Sequence, residues 1–148
     1  MKVLIDTNIL IDYFAKRTGY YETARKILTL CINGELSAAI AANSILNVFY
    51  ILRKEYTSEE RREMLLQLSK VIDIVEIDTD KIISALNRED FKDFEDCIQD
   101  ECAVFYEAEY IITRNVGDFT TSEVKAIFPT DFLELLKNKT EGSRERTD

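Results

Sequence analysis

The stretch Val3-Leu4-Ile5-Asp6-Thr7-Asn8 decides the fold that this sequence predicts. A short, uninterrupted apolar run is typical of a strand buried on both faces of a parallel sheet. The run ends abruptly at Asp6, so the carboxyl end of the predicted strand is polar. Ligands of open parallel sheets bind outside the carboxyl ends of the strands. Asp6, with Thr7 and Asn8 beside it, is therefore the first candidate functional residue.

Working outward from this strand, short apolar runs alternate with segments of helical periodicity. We predict further strands at 36–41, 71–75, 110–112 and 124–128, and helices at 9–15, 20–31, 44–53, 57–69, 79–86, 94–108 and 131–136. Thr57 followed by Glu60 is a capping-box pattern, and Thr79 is the expected cap of the helix that it begins. The alternation predicts an α/β fold, a three-layer α/β/α sandwich around a central parallel sheet of four or five strands.

Length and composition favour one domain. The chain has 148 residues, of which 46 % are hydrophobic and 32 % are charged, enough for one core and too few for two. We expect residues 1–136 to form the domain and residues 137–148, which lack apolar side chains, to be a disordered tail. No stretch suits a signal peptide or a membrane span. An odd number of cysteines without metal-ligand spacing favours buried thiols in a reducing cytoplasm.

The charge balance excludes several classes of site. The chain has a net charge of −9 and no histidine. Without histidine there is no Ser-His or Cys-His catalysis and no His-ligated zinc. The acidity also argues against nucleic-acid binding through a simple basic surface. An acidic protein can still act on phosphates when metal ions bridge the two.

Acidic residues recur at the predicted carboxyl edge of the sheet. Thr113-Arg114-Asn115 follows the fourth strand, with Asp118 close behind, and Asp93-Phe94-Glu95-Asp96 opens a helix. Two carboxylates about 4 Å apart repel by roughly 4 kcal/mol at an effective dielectric near 20. A domain with a stability of about 5–15 kcal/mol needs a cation to gather three of them. Oxygen ligands alone favour Mg²⁺ or Mn²⁺.

Each of these acids also has an ordinary structural role open to it. Asp6 is a suitable cap for the helix that follows it, and Asp93 for the helix from Phe94. Asp96 would be stabilised in the first turn of that helix by the helix dipole, and Asp118 suits a turn. Glu101 falls within the apolar stripe of the same helix. It either pairs with an Arg or Lys or leans toward the acids, and the sequence does not decide which.

In order and spacing, three motifs resemble the PIN domain: Leu4 to Leu10, Asp93 to Asp96, and Ile112 to Phe119. The resemblance covers about residues 2–136. It implies the sandwich described above and a Mg²⁺- or Mn²⁺-dependent ribonuclease, in many bacterial and archaeal members a VapC-type toxin neutralised by a small antitoxin. The residues that match the metal-binding acids are Asp6, Asp96 and Asp118. Those that match the polar positions of the first and fourth strand motifs are Thr7, Asn8, Thr113 and Asn115.

One position departs from the family pattern. Members usually have a Glu in the helix after the second strand, and Asn47 stands at the matching position here. Asn keeps an oxygen ligand but loses a charge, so we expect weaker metal binding. Glu95, Asp93 or Asp12 would be the compensating acids. The ordinary alternative for Asn47 is a solvated helix residue.

We therefore weigh three functions. The first is a metal-dependent endoribonuclease that acts as the toxin of a toxin–antitoxin pair, and the second is a PIN-like RNA- or protein-binding module with weak or no cleavage. A phospho-receiver domain is disfavoured because Phe128-Pro129-Thr130 follows the last strand without a lysine. The expected partners are an RNA substrate, a small antitoxin and a second copy of the chain, with no membrane. Candidate residues for a basic RNA-binding rim are Lys16, Arg17, Arg53, Lys54, Arg61, Arg62 and Arg114.

The partner surface is harder to predict. The helical segments 45–52 and 64–68 carry more apolar residues than one buried face requires. They would pack in a homodimer or receive an antitoxin helix. Packing within the core is the commoner explanation of such residues.

Overall fold

A computed structural model describes residues 1–145, with side chains to residue 144. Its strands are β1 (Lys2–Ile5), β2 (Ser37–Ala41), β3 (Asp73–Val75), β4 (Tyr110–Ile112) and β5 (Lys125–Ile127). Its α-helices are α1 (Thr7–Phe14), α2 (Tyr21–Ile32), α3 (Ala42–Ile51), α4 (Ser58–Ser69), α5 (Thr79–Leu86), α6 (Phe94–Tyr106) and α7 (Pro129–Glu145). Short 3₁₀ helices lie at Leu52–Lys54 and Val116–Phe119.

All the strand pairs are parallel, and the order across the sheet is β3-β2-β1-β4-β5. β1 lies at the centre, with Leu4 beside Ala39 of β2 on one side and Ile111 of β4 on the other. The chain fills one half of the sheet before crossing to β4, so the strand order reverses between β1 and β4. Such a reversal opens a crevice at the carboxyl ends of the two strands. Asp6 follows β1 at this crevice.

The alternation of side chains along the strands builds a core on each face of the sheet. Val3 and Ile5 face a core that includes buried residues of α1, α2, α3, α4 and α7. Leu4 and Ile111 face the second core, to which α5 and α6 contribute. The central strands carry apolar side chains on both faces of the sheet, and helices cover both faces to bury them. The predicted α/β/α sandwich with a parallel sheet is confirmed.

The caps show where local patterns predict structure well and where they do not. Thr57 and Glu60 form the predicted capping box at the start of α4. The cap of α5 is Asp78 and not Thr79, since the Asp78 carboxylate accepts a hydrogen bond of 3.0 Å from the Lys81 backbone N–H. Asp is as strong a cap as Thr, and it stands one residue earlier. The prediction at Thr79 was wrong by that one residue.

The C-terminal helix is longer than predicted. α7 continues past Leu136 to Glu145, whereas we expected a disordered tail from residue 137. The Thr140 hydroxyl donates to the Leu136 carbonyl at 3.0 Å, a bond that forms within a helix. Residues 146–148 of the expected tail lie outside the described residues. The boundary of the domain at residue 136 stays a prediction.

No helix within residues 1–145 has the length and the apolar character that crossing a membrane requires.

Docking of α7 onto the sheet should contribute much of the stability. Phe132 is completely buried, and its ring lies edge-on to Tyr110 of β4 at 6.3 Å between centroids. We expect Phe132→Ala to lower the free energy of unfolding by about 3–5 kcal/mol, measured by urea denaturation. The matched control is Phe105→Ala on the exposed face of α6, where the ring is 66 % exposed and the expected loss is below about 1 kcal/mol. Equal losses in the two variants would contradict this placement of α7.

Candidate functional site

Asp6 lies at the centre of the crevice between β1 and β4, with its side chain only 5 % exposed. Its two carboxylate oxygens accept hydrogen bonds from different elements. Gln99 Nε2 of α6 donates to Oδ1 at 2.9 Å, and Thr113 Oγ1, directly after β4, donates to Oδ2 at 2.8 Å. The Asp6 side chain makes no capping bond to α1. The structure therefore excludes the helix-cap role for this carboxylate.

Gln99 is a site residue that the sequence analysis missed. It is 2 % exposed, and its Oε1 atom is buried without a hydrogen-bond partner among the described residues. The available signal was its position three residues after Asp96, which places both side chains on one face of α6. A buried glutamine with one unsatisfied oxygen needs an explanation, because such an atom loses its hydrogen bonds to water on folding.

Asp96, in the first turn of α6, is the electrostatic centre of the acidic edge. Its pKa rises from 3.8 to about 7, first because of burial and then because of repulsion from Asp93, Asp6, Asp118 and Glu95. The three acids predicted to meet at this edge are thus close enough to act on one another. Asp96 and Asp118 also line a common cavity of about 360 Å³.

Asp93 has the structural role that was left open for it. Its Oδ1 accepts a hydrogen bond of 3.0 Å from the Asp96 backbone N–H, which caps α6. Asp118 lies on the 3₁₀ helix Val116–Phe119 and is exposed. Within residues 1–145 the side chains of Asp118, Asn115 and Asn8 make no hydrogen bond, so they are not tied to other protein groups.

Asn47 faces the acids and is not a solvated helix residue. Its Nδ2 donates to Glu95 Oε1 at 2.6 Å, and Asn43 Nδ2 of the same helix donates to that oxygen at 3.2 Å. Glu95 therefore brings a carboxylate to the position where Asn47 lacks one. The amide oxygen of Asn43 is like that of Gln99, because Asn43 Oδ1 is also buried without a hydrogen-bond partner in the described part of the chain.

Asp12 does not join the group, which corrects the expectation that it could compensate for Asn47. It is 1 % exposed and is held by Arg114, with Nε at 2.7 Å from Oδ2 and Nη2 at 3.1 Å from Oδ1. Arg17 lies 3.6 Å from the same carboxylate. Asp12 follows Asp6 by six residues, which carries it about 240° round the helix and away from the crevice. Thr7 is likewise engaged elsewhere, in a 2.7 Å hydrogen bond with Ser44 of α3.

A second buried ion pair fixes the loops beside the cavity. Asp100 is fully buried, and its carboxylate forms an ion pair with Arg88 Nη1 at 2.8 Å. The same carboxylate accepts hydrogen bonds from the backbone N–H groups of Glu123 and Val124 at 2.9 and 3.1 Å. Arg88 reaches Glu101 at 3.4 Å as well. The question left open for Glu101 is thereby answered, because it pairs with an arginine and does not lean toward the acids.

The donor set suits a hard divalent cation in its chemistry. It consists of oxygens from Asp6, Asp96, Asp118 and Glu95, the type of ligand that Mg²⁺ and Mn²⁺ prefer. In the part of the chain that the structure describes, however, no three acidic or cysteine side chains are already arranged to hold a metal ion. The buried, unpartnered oxygens of Gln99 and Asn43 supply further acceptors beside these acids. The residues fit such an ion by type.

Comparisons with known proteins agree with the fold. A family model described as PIN domain matches residues 2–117. A toxin–antitoxin complex from Klebsiella pneumoniae shares 29 % identity with a TM-score of 0.65, covering 86 % of this chain and 97 % of that one. No curated protein sequence matches.

Two further structures are similar in fold alone. VapC20 of Mycobacterium tuberculosis, described as a Sarcin-Ricin loop cleaving toxin, is 15 % identical with a TM-score of 0.66, covering 86 % of this chain and 99 % of that one. VapBC2 of Rickettsia felis, bound to a promoter DNA fragment, is 15 % identical with a TM-score of 0.65, and the coverage is 86 % and 98 %.

The raised pKa of Asp96 predicts a specific pH dependence of stability in buffer with a metal chelator. Because the native carboxyl holds its proton up to about pH 7 while the unfolded one releases it near 3.8, wild-type protein loses stability as pH rises through this interval. Asp96→Asn removes the effect. We expect the variant to match the wild type below about pH 4 and to exceed its free energy of unfolding above about pH 7. Urea denaturation across the range measures this, and a constant difference between the two proteins would contradict it.

Proposed function

Because this chain belongs to the PIN domain family, we propose that it is a divalent-metal-dependent endoribonuclease and the toxin of a toxin–antitoxin pair. The observation that carries the proposal is the group of carboxylates around Asp96 at the carboxyl edge of the sheet. Burial, and then repulsion from these carboxylates, raises the pKa of Asp96 to about 7. Mutual repulsion of this kind destabilises a fold unless a cation offsets it, and carboxylates perturbed in this way cluster at functional sites. PIN nucleases generally use divalent metals, and a cation is what this group lacks.

Asp6, Asp96 and Asp118 are the residues that would hold Mg²⁺ or Mn²⁺. When bound, such an ion lowers the pKa of the attacking water and stabilises the charge that develops on the phosphodiester. Thr113 and Gln99 orient the Asp6 carboxylate through its two hydrogen bonds. Partners of this kind typically change metal affinity or activity by about 10–100-fold when removed. Because the pKa of Asp96 is raised to about 7, the carboxyl is only partly ionised near neutral pH, and metal binding there would release the remaining proton.

Glu95 would supply the charge that Asn47 does not. The 2.6 Å hydrogen bond from Asn47 and the 3.2 Å bond from Asn43 orient its carboxylate toward the acidic edge. In this proposal the family's usual acid on α3 is replaced by an acid on α6 that α3 holds in place.

The proposed antitoxin would bind an apolar surface of the α-helices that cover one face. Leu46, Tyr50 and Leu66 are exposed large apolar residues of α3 and α4. A cavity of about 470 Å³, lined mainly by Tyr13, Phe14, Leu28 and Met64, lies between α1, α2 and α4. The Klebsiella pneumoniae relative was solved as a toxin–antitoxin complex, which supports a partner of this kind. We also propose that these helices could pack in a homodimer.

A second function is favoured by two features of the site. The acids within residues 1–145 do not already form a closed set of metal ligands, and Asn47 lacks a charge. A PIN-like module that binds RNA or a protein, with weak or no cleavage, would need neither a closed set of metal ligands nor a charge at position 47.

Substitution of the acids tests which function is correct. We expect Asp6→Asn and Asp96→Asn each to reduce cleavage of labelled RNA in Mn²⁺ by at least about 100-fold, because each removes a ligand charge and not merely an outer partner. Asp80→Asn, an exposed acid in the first turn of α5, is the matched control and should cleave like the wild type. Wild-type protein that binds RNA but does not cut it would favour the binding module. Equal cleavage by all four proteins would point to a contaminating nuclease.

The proposed role of Glu95 has its own test in a charge relocation. We expect Glu95→Gln to weaken Mn²⁺ binding about tenfold in titration calorimetry, since a charge leaves the site. Adding Asn47→Glu to that variant returns the charge to α3 and should restore the affinity to within about threefold of the wild type. Glu89→Gln on the nearby loop is the control and should leave the affinity unchanged. If Glu95→Gln binds Mn²⁺ like the wild type, Glu95 has no part in the metal site.

A further inference from the structure

A cavity of about 280 Å³ lies on the other side of the sheet edge from Asp96. Its walls include Tyr20, Thr23, Arg114, Phe128 and Thr130. We call it the Tyr20 pocket. Its volume is at the lower end of the range for small-molecule sites, which suits one planar group and not a large ligand.

The pocket begins one residue away from the acidic crevice. Thr113 donates its hydroxyl to Asp6, and the next residue, Arg114, extends to Asp12 on the opposite side of the strand. The two residues are consecutive, so their Cα atoms are about 3.8 Å apart, and the bend at Arg114 turns its side chain away from that of Thr113. A polymer whose phosphate lies at the acids therefore has its neighbouring groups within reach of the pocket.

The walls of the pocket are flat and partly open, and one of them is held in place. The guanidinium of Arg114 lies 4.0 Å from the centroid of the Tyr20 ring. Its two bonds to Asp12 fix its orientation, while the arginine side chain stays 25 % exposed and the Tyr20 ring 47 % exposed. Phe128, at the start of α7, is also partly exposed. A planar ligand that stacks here would not have to order the Arg114 side chain, which removes part of the cost of binding.

Polar groups are available at the edges of the same pocket. Among the described residues the hydroxyls of Thr23 and Thr130 have no hydrogen-bond partner. Gly19 has a φ of +88°, and a Cβ built there meets nothing within 4 Å, so the rim beside Tyr20 is open. Two flat surfaces and free hydroxyls match a nucleobase, which offers both a π-face and hydrogen-bonding edges.

The local charge suits a nucleotide as well. In a chain of net charge −9, Arg17 and Arg114 here surround one buried carboxylate, Asp12. Arg17 is 41 % exposed and lies within the basic rim expected from the sequence. This corner of the edge is therefore positive, whereas the Asp96 side is acidic. Arg17 lies 3.6 Å from Asp12, which lines the pocket, so its exposed guanidinium is available to a phosphate beside a base bound there.

We propose that the Tyr20 pocket binds one unstacked base of the RNA substrate, next to the phosphodiester that is cut, and so sets the sequence preference. The inference rests on the proposed ribonuclease function for the identity of the polymer. The Arg–Tyr stack by itself is not the reason for it. Arg53 stacks on Tyr50 in the same way at 3.9 Å, and that pair lines none of the cavities described above.

Base binding can be measured without cleavage. The four nucleoside 5′-monophosphates and ribose 5-phosphate, which lacks a base, are titrated into ¹⁵N-labelled protein with a metal chelator. We expect at least one monophosphate to shift the amide signals of Gly19, Thr23 and Thr130, and ribose 5-phosphate not to shift them. Tyr20→Leu should weaken this binding at least about fivefold, because a base loses an aromatic face. Tyr20→Phe, which keeps the ring, and Phe105→Leu, an exposed ring outside the pocket, should change it by less than about twofold.

RNA cleavage separates this inference from the proposed function. Tyr20→Leu should raise the half-saturating RNA concentration at least about fivefold while the maximal rate changes much less. Wild-type protein that binds monophosphates in the pocket but cuts no RNA would overturn the ribonuclease and leave the base site standing. Cleavage that is insensitive to Tyr20→Leu, equal shifts with ribose 5-phosphate, or no shift at these amides would overturn the base site.

Discussion

The buried carboxylate of Asp6 is the constraint on which the rest of the site depends. It lies at the point where the strand order reverses, and the hydrogen bonds from Gln99 and Thr113 join it to α6 and to the end of β4. Burying a charge is costly unless it is paired and hydrogen-bonded. Among the described residues Asp6 has the hydrogen bonds but no Lys or Arg partner. Asp96, Asp118 and Glu95 then add negative charge beside it.

The other two buried aspartates show that this arrangement is particular to the edge. Asp12 is paired with Arg114 and Asp100 with Arg88, each at less than 3 Å. Among the described residues, both of these buried aspartates are paired with an arginine, and Asp6 is not. The difference favours an external cation at the crevice. The two ion pairs also hold the arginines in defined positions, Arg88 beside the acidic cavity and Arg114 in the wall of the Tyr20 pocket.

Sequence patterns predicted the sheet, its parallel strands and the edge at which Asp6, Asp96 and Asp118 meet, because these follow from local periodicity and from general rules of α/β topology. They did not predict which partner each polar side chain takes. Asp12 has helical spacing from Asn8, but its pairing with Arg114 spans 102 residues. Gln99 and the bond between Asn47 and Glu95 also depend on how α6 and α3 pack against each other. The length of α7 was missed because its last turns carry no apolar stripe.

Crystals of the wild-type protein soaked in Mn²⁺ would test the central claim, that a divalent cation completes the group around Asp6, by anomalous diffraction at the manganese edge. The account predicts an anomalous peak at the carboxyl edge, within about 2.5 Å of carboxylate oxygens of both Asp6 and Asp96. A map with no peak there at saturating Mn²⁺, or with the Asp6 carboxylate still bonded only to Gln99 and Thr113, would contradict it.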